Sequence, residues 1–375
     1  MARWWPWRKV EQREALTLEQ LLAEDGRPTA AGEPVTTSSA MRLTTVWACV
    51  RLLADSVSTL PLDVYRRGEQ TPLATLPPLL QHPSADFEEL SDWLYAVMAS
   101  LLLRGNGWGV ITARSGAGML PAQCDLVHPD HMGVTLDRDG RVEHRLLGEK
   151  LDSSTVWHVK AYPFPAAPNM PALGLSPIEH ARETIGLGLA AERYGGRFFG
   201  QDATPPGVIT SDQHITSTQA EDLQDRWEQR HTGRRKIAVL GDGGRFQPIS
   251  IRPDEAQFIE TQQFNVSAVA RLFGIPGEMV GGQTAGPLAY SSPEMRSLDF
   301  LTFALRPWLL RIERAVSRLL PSTQQAKFNA GGFVRTDLKT RYEAHAAGIQ
   351  AGFLTVNEAR ALEDLPPLPE GGASA

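Results

Sequence analysis

The stretch that decides the fold runs from Leu175-Ser176-Pro177-Ile178-Glu179 to Phe273-Gly274-Ile275-Pro276 and on to Gly281-Gly282. It reads as a capped helix, a compact insert and a second capped helix running back. Ser176 is placed to N-cap the first helix, Pro177 brings the φ that the first helical position needs, and Glu179 completes a capping box. Ile178, Ala181, Ile185 and Leu189 then recur at helical spacing, while Glu183, Glu192, Arg193 and Arg197 fall on other faces. The same helix holds Gly186, Gly188, Gly195 and Gly196. Each is about 1 kcal/mol less favourable than alanine in a helix interior. Close backbone approach by another element offsets such a penalty. The helix is therefore expected to be packed tightly on its sides, with copies of the same chain as one source of neighbours. At ~1.5 Å per residue, segment 176–200 would span about 37 Å.

Pro205-Pro206 ends this helix, since proline lacks a donor and restricts the residue before it. The insert holds the apolar run Gly207-Val208-Ile209-Thr210 and a helix from Thr218 through Leu223 and Trp227 to a stop near Gly233. Lys236-Ile237-Ala238-Val239-Leu240, a turn at Gly241-Asp242-Gly243-Gly244, and a run from Phe246 to Ile251 read as a hairpin. The return helix opens at Pro253, with Asp254 and Glu255 in its first turn, where their charge suits the macrodipole. It continues through Phe258, Ile259, Phe264, Val266, Val269 and Phe273 to the stop at Gly274-Ile275-Pro276. Gly281-Gly282-Gln283-Thr284-Ala285-Gly286-Pro287-Leu288 reads as a flexible loop. Ser291 and Glu294 then open a helix through Leu298, Phe303, Leu305, Trp308, Leu309, Ile312 and Val316, which Pro307 is expected to kink by removing one internal hydrogen bond.

Upstream, Val46, Val50, Leu53 and Val57 form a helical stripe, and Leu62 and Val64 alternate as a strand after Pro61. Asp92 precedes a second helical stripe of Trp93, Val97 and Leu101, with Val110-Ile111 and Val156-Trp157-His158-Val159 as later strands. This is an α+β lobe. Residues Ala23 to Ser39, rich in Gly, Pro, Thr and Ser, read as a linker. Arg3, Trp4, Trp5, Trp7, Arg8 and Lys9 interleave cations with aromatics, as nucleic-acid-binding or membrane-active peptides do. Pro6 interrupts any helix there and no apolar core of signal-peptide length follows, so an arm docking on a neighbour or a scaffold is the preferred reading.

A chain of 375 residues, 42% hydrophobic and 21% charged, is globular and large enough for two or three sub-domains. Cys49 and Cys124, its only cysteines, are expected to be reduced core thiols. The longest apolar run, Leu94 to Leu103, falls far short of the ~20 residues of a membrane span. A net charge of −6 argues against a protein that grips DNA. Duplex DNA carries about one negative charge per 1.7 Å, so a basic wall holds it by counterion release whereas an acidic or neutral one lets it slide. Mild acidity equally serves solubility.

Catalytic motifs fail on context. Gly174-Leu175-Ser176-Pro177-Ile178 lacks the closing glycine of a nucleophile elbow, and its serine is better used as a cap. Gly186-Leu187-Gly188-Leu189-Ala190-Ala191 fits a relaxed dinucleotide fingerprint but lies inside a helix. His128 and His131 with Asp125 and Asp130 are candidate metal ligands, yet Pro129 between them favours a surface turn. Neither a Walker A sequence nor His-Glu-x-x-His is found.

Leu175-Ser176-Pro177-Ile178-Glu179, Phe198-Phe199, the run Asp254 to Glu260 and Val269-Ala270-Arg271-Leu272-Phe273-Gly274-Ile275-Pro276 resemble the portal proteins of tailed bacteriophages of the HK97-like siphovirus type. The helix from Val46 to Val57 leading into Leu60-Pro61-Leu62, the entry Leu103-Arg104-Gly105-Asn106-Gly107-Trp108, and Gly352-Phe353-Leu354-Thr355-Val356-Asn357-Glu358-Ala359-Arg360 are similar to further signatures of that family. Together they cover roughly residues 40–370, and their order and spacing carry the resemblance.

The resemblance implies a structural protein without enzyme activity, cofactor or metal. It would be a ring of identical subunits, usually twelve, at one capsid vertex, with double-stranded DNA passing along the axis. The implied division is an N-terminal arm and linker (1–40), wing (41–175), first stem helix (176–200), clip (201–252), second stem helix (253–273), tunnel-loop region (274–293), kinked helix and wing return (294–336) and short crown (337–375). Ser176 and the four helix glycines would pack the stem, and Pro307 would mark the kink. Gly281, Gly282, Gln283, Thr284, Ala285, Gly286 and Tyr290 would face DNA, although an ordinary exposed connector explains these glycines equally well. Arg234, Arg235 and Lys236 in the clip would meet a partner, the alternative being a solvated charge run. Implied partners are the terminase large subunit, a head-tail adaptor, the major capsid protein and a scaffolding protein, with no membrane; the implied location is the virion, and the host cytoplasm during assembly. Two rival readings are another capsid or connector component and a soluble enzyme with an unrecognised site.

Overall fold

The computed structural model describes residues 27–116, 118–137, 139–164, 173–200, 208–210, 245–247, 255–282, 293–330, 338–363 and 365–368. The N-terminal lobe mixes helices and strands as the sequence pattern predicts. Helix α1 (Thr44–Ser58) precedes β1 (Leu62–Arg66), and α2 (Leu90–Arg104) precedes β2 (Asn106–Ser115) and β3 (Leu120–Val127). Strands β4 (Met132–Leu136), β5 (Val142–Leu146), β6 (Glu149–Leu151) and β7 (Val156–Lys160) follow. Strand β2 is the centre of an antiparallel sheet ordered β3-β2-β7, while β4, β5 and β6 form a second antiparallel sheet.

Both helical stripes face inward: Val46, Val50, Leu53 and Val57 of α1 and Trp93, Val97 and Leu101 of α2 are buried. Trp93 and Trp157 stack obliquely at 5.1 Å. Each spends its indole N–H on a backbone carbonyl, Trp93 on Cys124 at 3.0 Å and Trp157 on Ala315 at 2.8 Å, so neither buried donor is left unpaired. Cys49 and Cys124 are buried free thiols. Burial pushes both up to about 12, which makes them inert packing groups.

A small ladder of β8 (Pro163–Phe164) with β9 (Leu173–Gly174) leads to the decisive stretch. A one-turn helix, Pro177–His180, is followed by α3 (Arg182–Gly200). The two are not one helix as the sequence suggested: at Ala181 the backbone leaves helical geometry, with φ −105° and ψ 20°. The ladder resumes when Ile185 donates to Ala181 at 3.0 Å. Strand β10 (Val208–Thr210) pairs antiparallel with β11 (Arg245–Gln247), and α4 (Glu255–Phe273) returns. The expected partner of 246–251, the run 236–240, lies outside the described residues, as do the expected helix from Thr218 and the cap residues Pro253 and Asp254.

Helix α5 (Pro293–Asp299) leads into a π-helical segment, Phe300–Leu305, and then α6 (Arg306–Ser317). Pro307 was expected at mid-helix; it lies instead in the first turn of α6. The discontinuity is the wide turn before it, where Arg306 donates to the carbonyl of Leu301. A proline cannot supply an N–H to the preceding turn, and the π segment reshapes the ladder there. Strand β12 (Gln324–Phe328) then pairs antiparallel with β1, bringing a segment late in the chain back onto the N-terminal lobe. Helices α7 (Leu338–Gln350) and α8 (Val356–Leu362) close the chain, with Thr355 and Glu358 in a reciprocal capping box.

Candidate functional site: the helix pair and the turn that follows it

The start of α3 is clamped to the lobe by backbone proximity. Gly105 ends α2 in the left-handed conformation at φ 74°. A Cβ on it would lie 2.2 Å from the carbonyl oxygen of Leu175, and one on Gly174 would lie 1.9 Å from the carbonyl oxygen of Gly105. Only two glycines allow these backbones to touch. Asn106 completes the join: its Nδ2 donates to the Gly174 carbonyl at 2.8 Å, and its Oδ1 accepts from the Gly174 N–H at 2.9 Å. The side-chain amide thus pairs with Gly174 as a neighbouring strand would. Ser176 has the expected capping role, accepting from the Glu179 N–H at 3.2 Å, and also donates to the Leu103 carbonyl at 2.8 Å.

Behind Asn106 stands His158, its Nε2 2.9 Å from Asn106 Oδ1 and its ring stacked on Trp108 at 3.4 Å. Because Oδ1 already accepts from Gly174, the imidazole must present an N–H, which fixes the Nε2 tautomer. Burial, then Lys160, His144 and Arg318, push His158 down to about 3. It is a neutral structural donor at physiological pH.

The glycines of α3 differ in what surrounds them. A Cβ on Gly188 would meet Asn265 Oδ1 at 2.5 Å and Leu43 at 3.0 Å, and one on Gly186 would meet Thr29 Oγ1 at 2.4 Å. The close approach expected for these two comes from the same chain, not from another copy. Gly195 is buried, whereas a Cβ on Gly196 would meet nothing within 4 Å. Asn265 belongs to α4; it is 3% exposed and donates from Nδ2 to the Thr184 carbonyl at 3.0 Å. Sequence reading missed it and chose Phe264, which is 62% exposed. The available signal was periodicity, since Asn265, Val269 and Phe273 repeat at intervals of one helical turn and all three are buried.

The linker reading fails for the described residues from 27 onward. Thr29 and Glu33 bridge a turn, with Thr29 Oγ1 donating to the Glu33 carbonyl at 2.9 Å and Pro28 bridging Pro34. This clasp lies on α3: Ala30 N–H donates to Glu183 at 3.0 Å, Arg193 pairs with the buried Glu33 at 2.6 Å, and Arg182 donates to the Arg27 carbonyl. Thr36 and Ser39 then form a capping box for the short helix Thr37–Ala40. From the other side Glu192 of α3 accepts from the Thr44 N–H at the start of α1, a helix whose own N-cap, Leu43, offers no side-chain acceptor. Neither the clasp nor this cap in trans had a sequence signature beyond single polar residues.

At the far end of α4, Gly274 and Ile275 turn the chain into a 3₁₀ turn, Gly277–Val280, capped by Gly281 at φ 86°. Gly282 donates to the Gly277 carbonyl at 2.7 Å, and a Cβ on Gly282 would lie 2.8 Å from that oxygen. Gly281 and Gly282 therefore belong to a closed turn at the end of α4. Gln283, Thr284, Ala285, Gly286 and Tyr290 lie outside the described residues, as do Arg234, Arg235 and Lys236.

His128 and Asp130 fold as the expected turn: His128 Nδ1 accepts from the Asp130 N–H at 3.3 Å, and Asp130 pairs with Arg104 at 2.7 Å. Among the described residues no cluster of His, Cys, Asp and Glu is arranged to hold a metal, and no helix is long and apolar enough to cross a membrane.

This arrangement of a mixed α/β lobe and a helix pair is the fold of phage portal proteins. It superposes on a chain from the neck of an empty GTA particle, solved with C6 symmetry, at TM-score 0.65 and 24% identity, covering 93% of this chain and 98% of that one. The chain belongs to the phage portal protein family, whose profile matches residues 44–364. It is 32% identical over 371 residues to the probable portal protein of Streptomyces phage phiC31, covering 92% of this chain and 79% of that protein. It is 27% identical to the portal protein of Enterobacteria phage HK97, over 88% and 80% of the respective chains. It is thus a structural portal protein and not an enzyme.

Proposed function

We propose that this chain closes into a ring, most simply of twelve copies, at one capsid vertex of the virion, and that double-stranded DNA enters and leaves along its axis. The observation that supports this best is the helix pair α3–α4, clamped at one end to the lobe through Gly105, Asn106, Gly174 and Ser176 and continued at the other by the insert. In this reading segments 176–200 and 253–273 are the stem, 201–252 the clip, 41–175 the wing and 337–375 a short crown. The loop 281–290 faces the channel and touches DNA without reading its sequence, because neutral groups such as Gln283 and Thr284 position phosphates but carry no base information. The clip carries the contacts with the terminase and then with the head-tail adaptor, Arg234, Arg235 and Lys236 meeting an acidic patch. The major capsid protein and a scaffolding protein meet the outer surface during assembly in the host cytoplasm.

Native mass measurement with electron micrographs tests the ring. Twelve chains of 41.1 kDa give on the order of 490 kDa. A sharply monomeric species at high concentration, with no ring in micrographs, would reject the reading. Charge reversal at Arg234, Arg235 and Lys236 together should weaken adaptor binding; unchanged binding would mark them as a solvated charge run.

A further inference from the structure

The lobe carries an open groove of about 460 Å³ where the end of α1, the start of β1 and the first turn of α2 meet. Its floor is apolar: Leu60, Leu62 and Leu94 are buried, and Leu73, Leu76 and Leu90 are half-buried around them. Segment 73–81 is pinned in place as one wall, since the Leu73 N–H donates to the Val64 carbonyl at 2.7 Å and Gln81 Nε2 to the Leu76 carbonyl at 2.6 Å. The volume falls within the ~300–1,000 Å³ of sites that take apolar groups.

The rim is acidic. Asp63 lines the groove, and the exposed Asp55, Glu88, Glu89 and Asp92 stand within three residues of lining side chains. No lysine or arginine occurs from Gly68 to Leu103. Lys327, opposite Asp63 in the ladder of β1 with β12, is turned over the Tyr65 ring at 5.3 Å. An apolar floor under an acidic rim suits large apolar side chains flanked by cations.

The start of this chain has that chemistry. Trp4, Trp5 and Trp7 are three of its nine tryptophans, flanked by Arg3, Arg8 and Lys9, with no acidic residue before Glu11. Tryptophan and arginine are the residues that most often anchor interfaces. Residues 1–26 lie outside the described residues; the described chain begins at Arg27, whose carbonyl is held by Arg182 of α3. From there the route to the groove runs ~9 Å along α3 to Gly188, where Leu43 sits, and ~21 Å along α1 to Ser58. The nineteen residues from 8 to 26 can extend to ~60 Å. A tether of that reach gives an effective concentration on the order of millimolar, which favours the subunit's own groove over a neighbour's.

We propose that the segment Trp4–Trp7 docks in this groove of the same subunit, its indoles on the leucine floor and Arg3, Arg8 and Lys9 against the acidic rim. The contact does not depend on the ring reading.

The test links Ala2→Cys to Ala74→Cys in the full chain with a short bis-maleimide. Substitution at Ala2 keeps every tryptophan and cation of the segment, and Ala74 is an exposed residue of the groove. Cys49 and Cys124 are buried. The expected result is a link between the two positions within the monomer band of a denaturing gel, located by mass spectrometry of the joined peptides. Its yield should fall severalfold when Trp4, Trp5 and Trp7 are changed together to alanine, and likewise when Arg3, Arg8 and Lys9 are changed together to glutamate. These substitutions lie outside the lobe and leave its core intact. Adding Glu88→Arg, Glu89→Arg and Asp92→Arg to the glutamate variant should restore the yield. Unchanged yield in the tryptophan variant would mean that the tether alone brings the cysteines together, and would overturn the docking. A link found only in multimer bands would overturn it as well, by giving the groove to a second copy.

Discussion

At the scale of single residues, His158 shows how a titratable side chain can serve structure alone. Its folded-state value, about 3, lies well below the ordinary 6.5 because the ring is buried and faces Lys160, His144 and Arg318. The folded chain thus resists protonation that the unfolded chain accepts. The resulting stability is complete above pH ~6.5 and is lost as pH falls from there toward 3, at up to about 1.4 kcal/mol per pH unit. Thermal melting at pH 7 and pH 5 should show a loss on the order of 2 kcal/mol from this group. His158→Gln keeps an N–H for Asn106 and should flatten that part of the profile; an equally steep acid loss in the variant would remove His158 as its cause. Phe264 and Asn265 give the complementary lesson. Hydrophobicity favours burying the phenylalanine, yet the asparagine is inside, because it satisfies the Thr184 carbonyl where α3 and α4 meet.

At the scale of elements, α3 carries the argument. Its glycines look alike in sequence and differ in three dimensions. Gly196→Ala adds a methyl group in open space and should stabilise the chain by about 1 kcal/mol through helix propensity. Gly188→Ala drives a Cβ into Asn265 and Leu43, which must break the Asn265 bond to Thr184 or shift α4, and should cost on the order of 1–3 kcal/mol. Chemical denaturation of both variants checks this; equal effects in the two would mean that neither environment matters. The loss at Gly188 should already appear in the isolated subunit, since the crowded atoms belong to the same chain. The clasp over Gly186 acts likewise, holding the segment from Arg27 against α3 through Glu33–Arg193 and Ala30–Glu183.

At the scale of the whole molecule, the turn Gly277–Gly282 closes the end of α4 before residue 283. Deleting residues 283–290 should therefore leave folding and ring mass unchanged, while reducing the length of DNA packaged or its retention. Capsids built with intact and loop-deleted portals provide the comparison, and equal DNA content with equal retention would leave the loop without a role. The small net charge of −6 fits a wall along which DNA moves, because counterion release from a strongly basic wall would hold it.

The sequence by itself determined the helices α1, α2 and α4, the capped start at Ser176, the strands around Val110 and Trp157, the reduced cysteines and, through motif order, the family. Those features are written in local periodicity and capping chemistry, which depend on residues a few positions apart. Tertiary structure alone decided the rest. It paired β1 with β12, turned Gly105, Asn106 and Gly174 into a clamp, and drew residues 27–36 from an expected linker onto α3. It reset the helix before Pro307 with a π turn and closed Gly281 and Gly282 into a turn. Each of these joins groups far apart in the chain, or depends on how much room a Cβ has. A glycine records that a side chain is absent; only the folded neighbours show whether one was excluded or simply not needed.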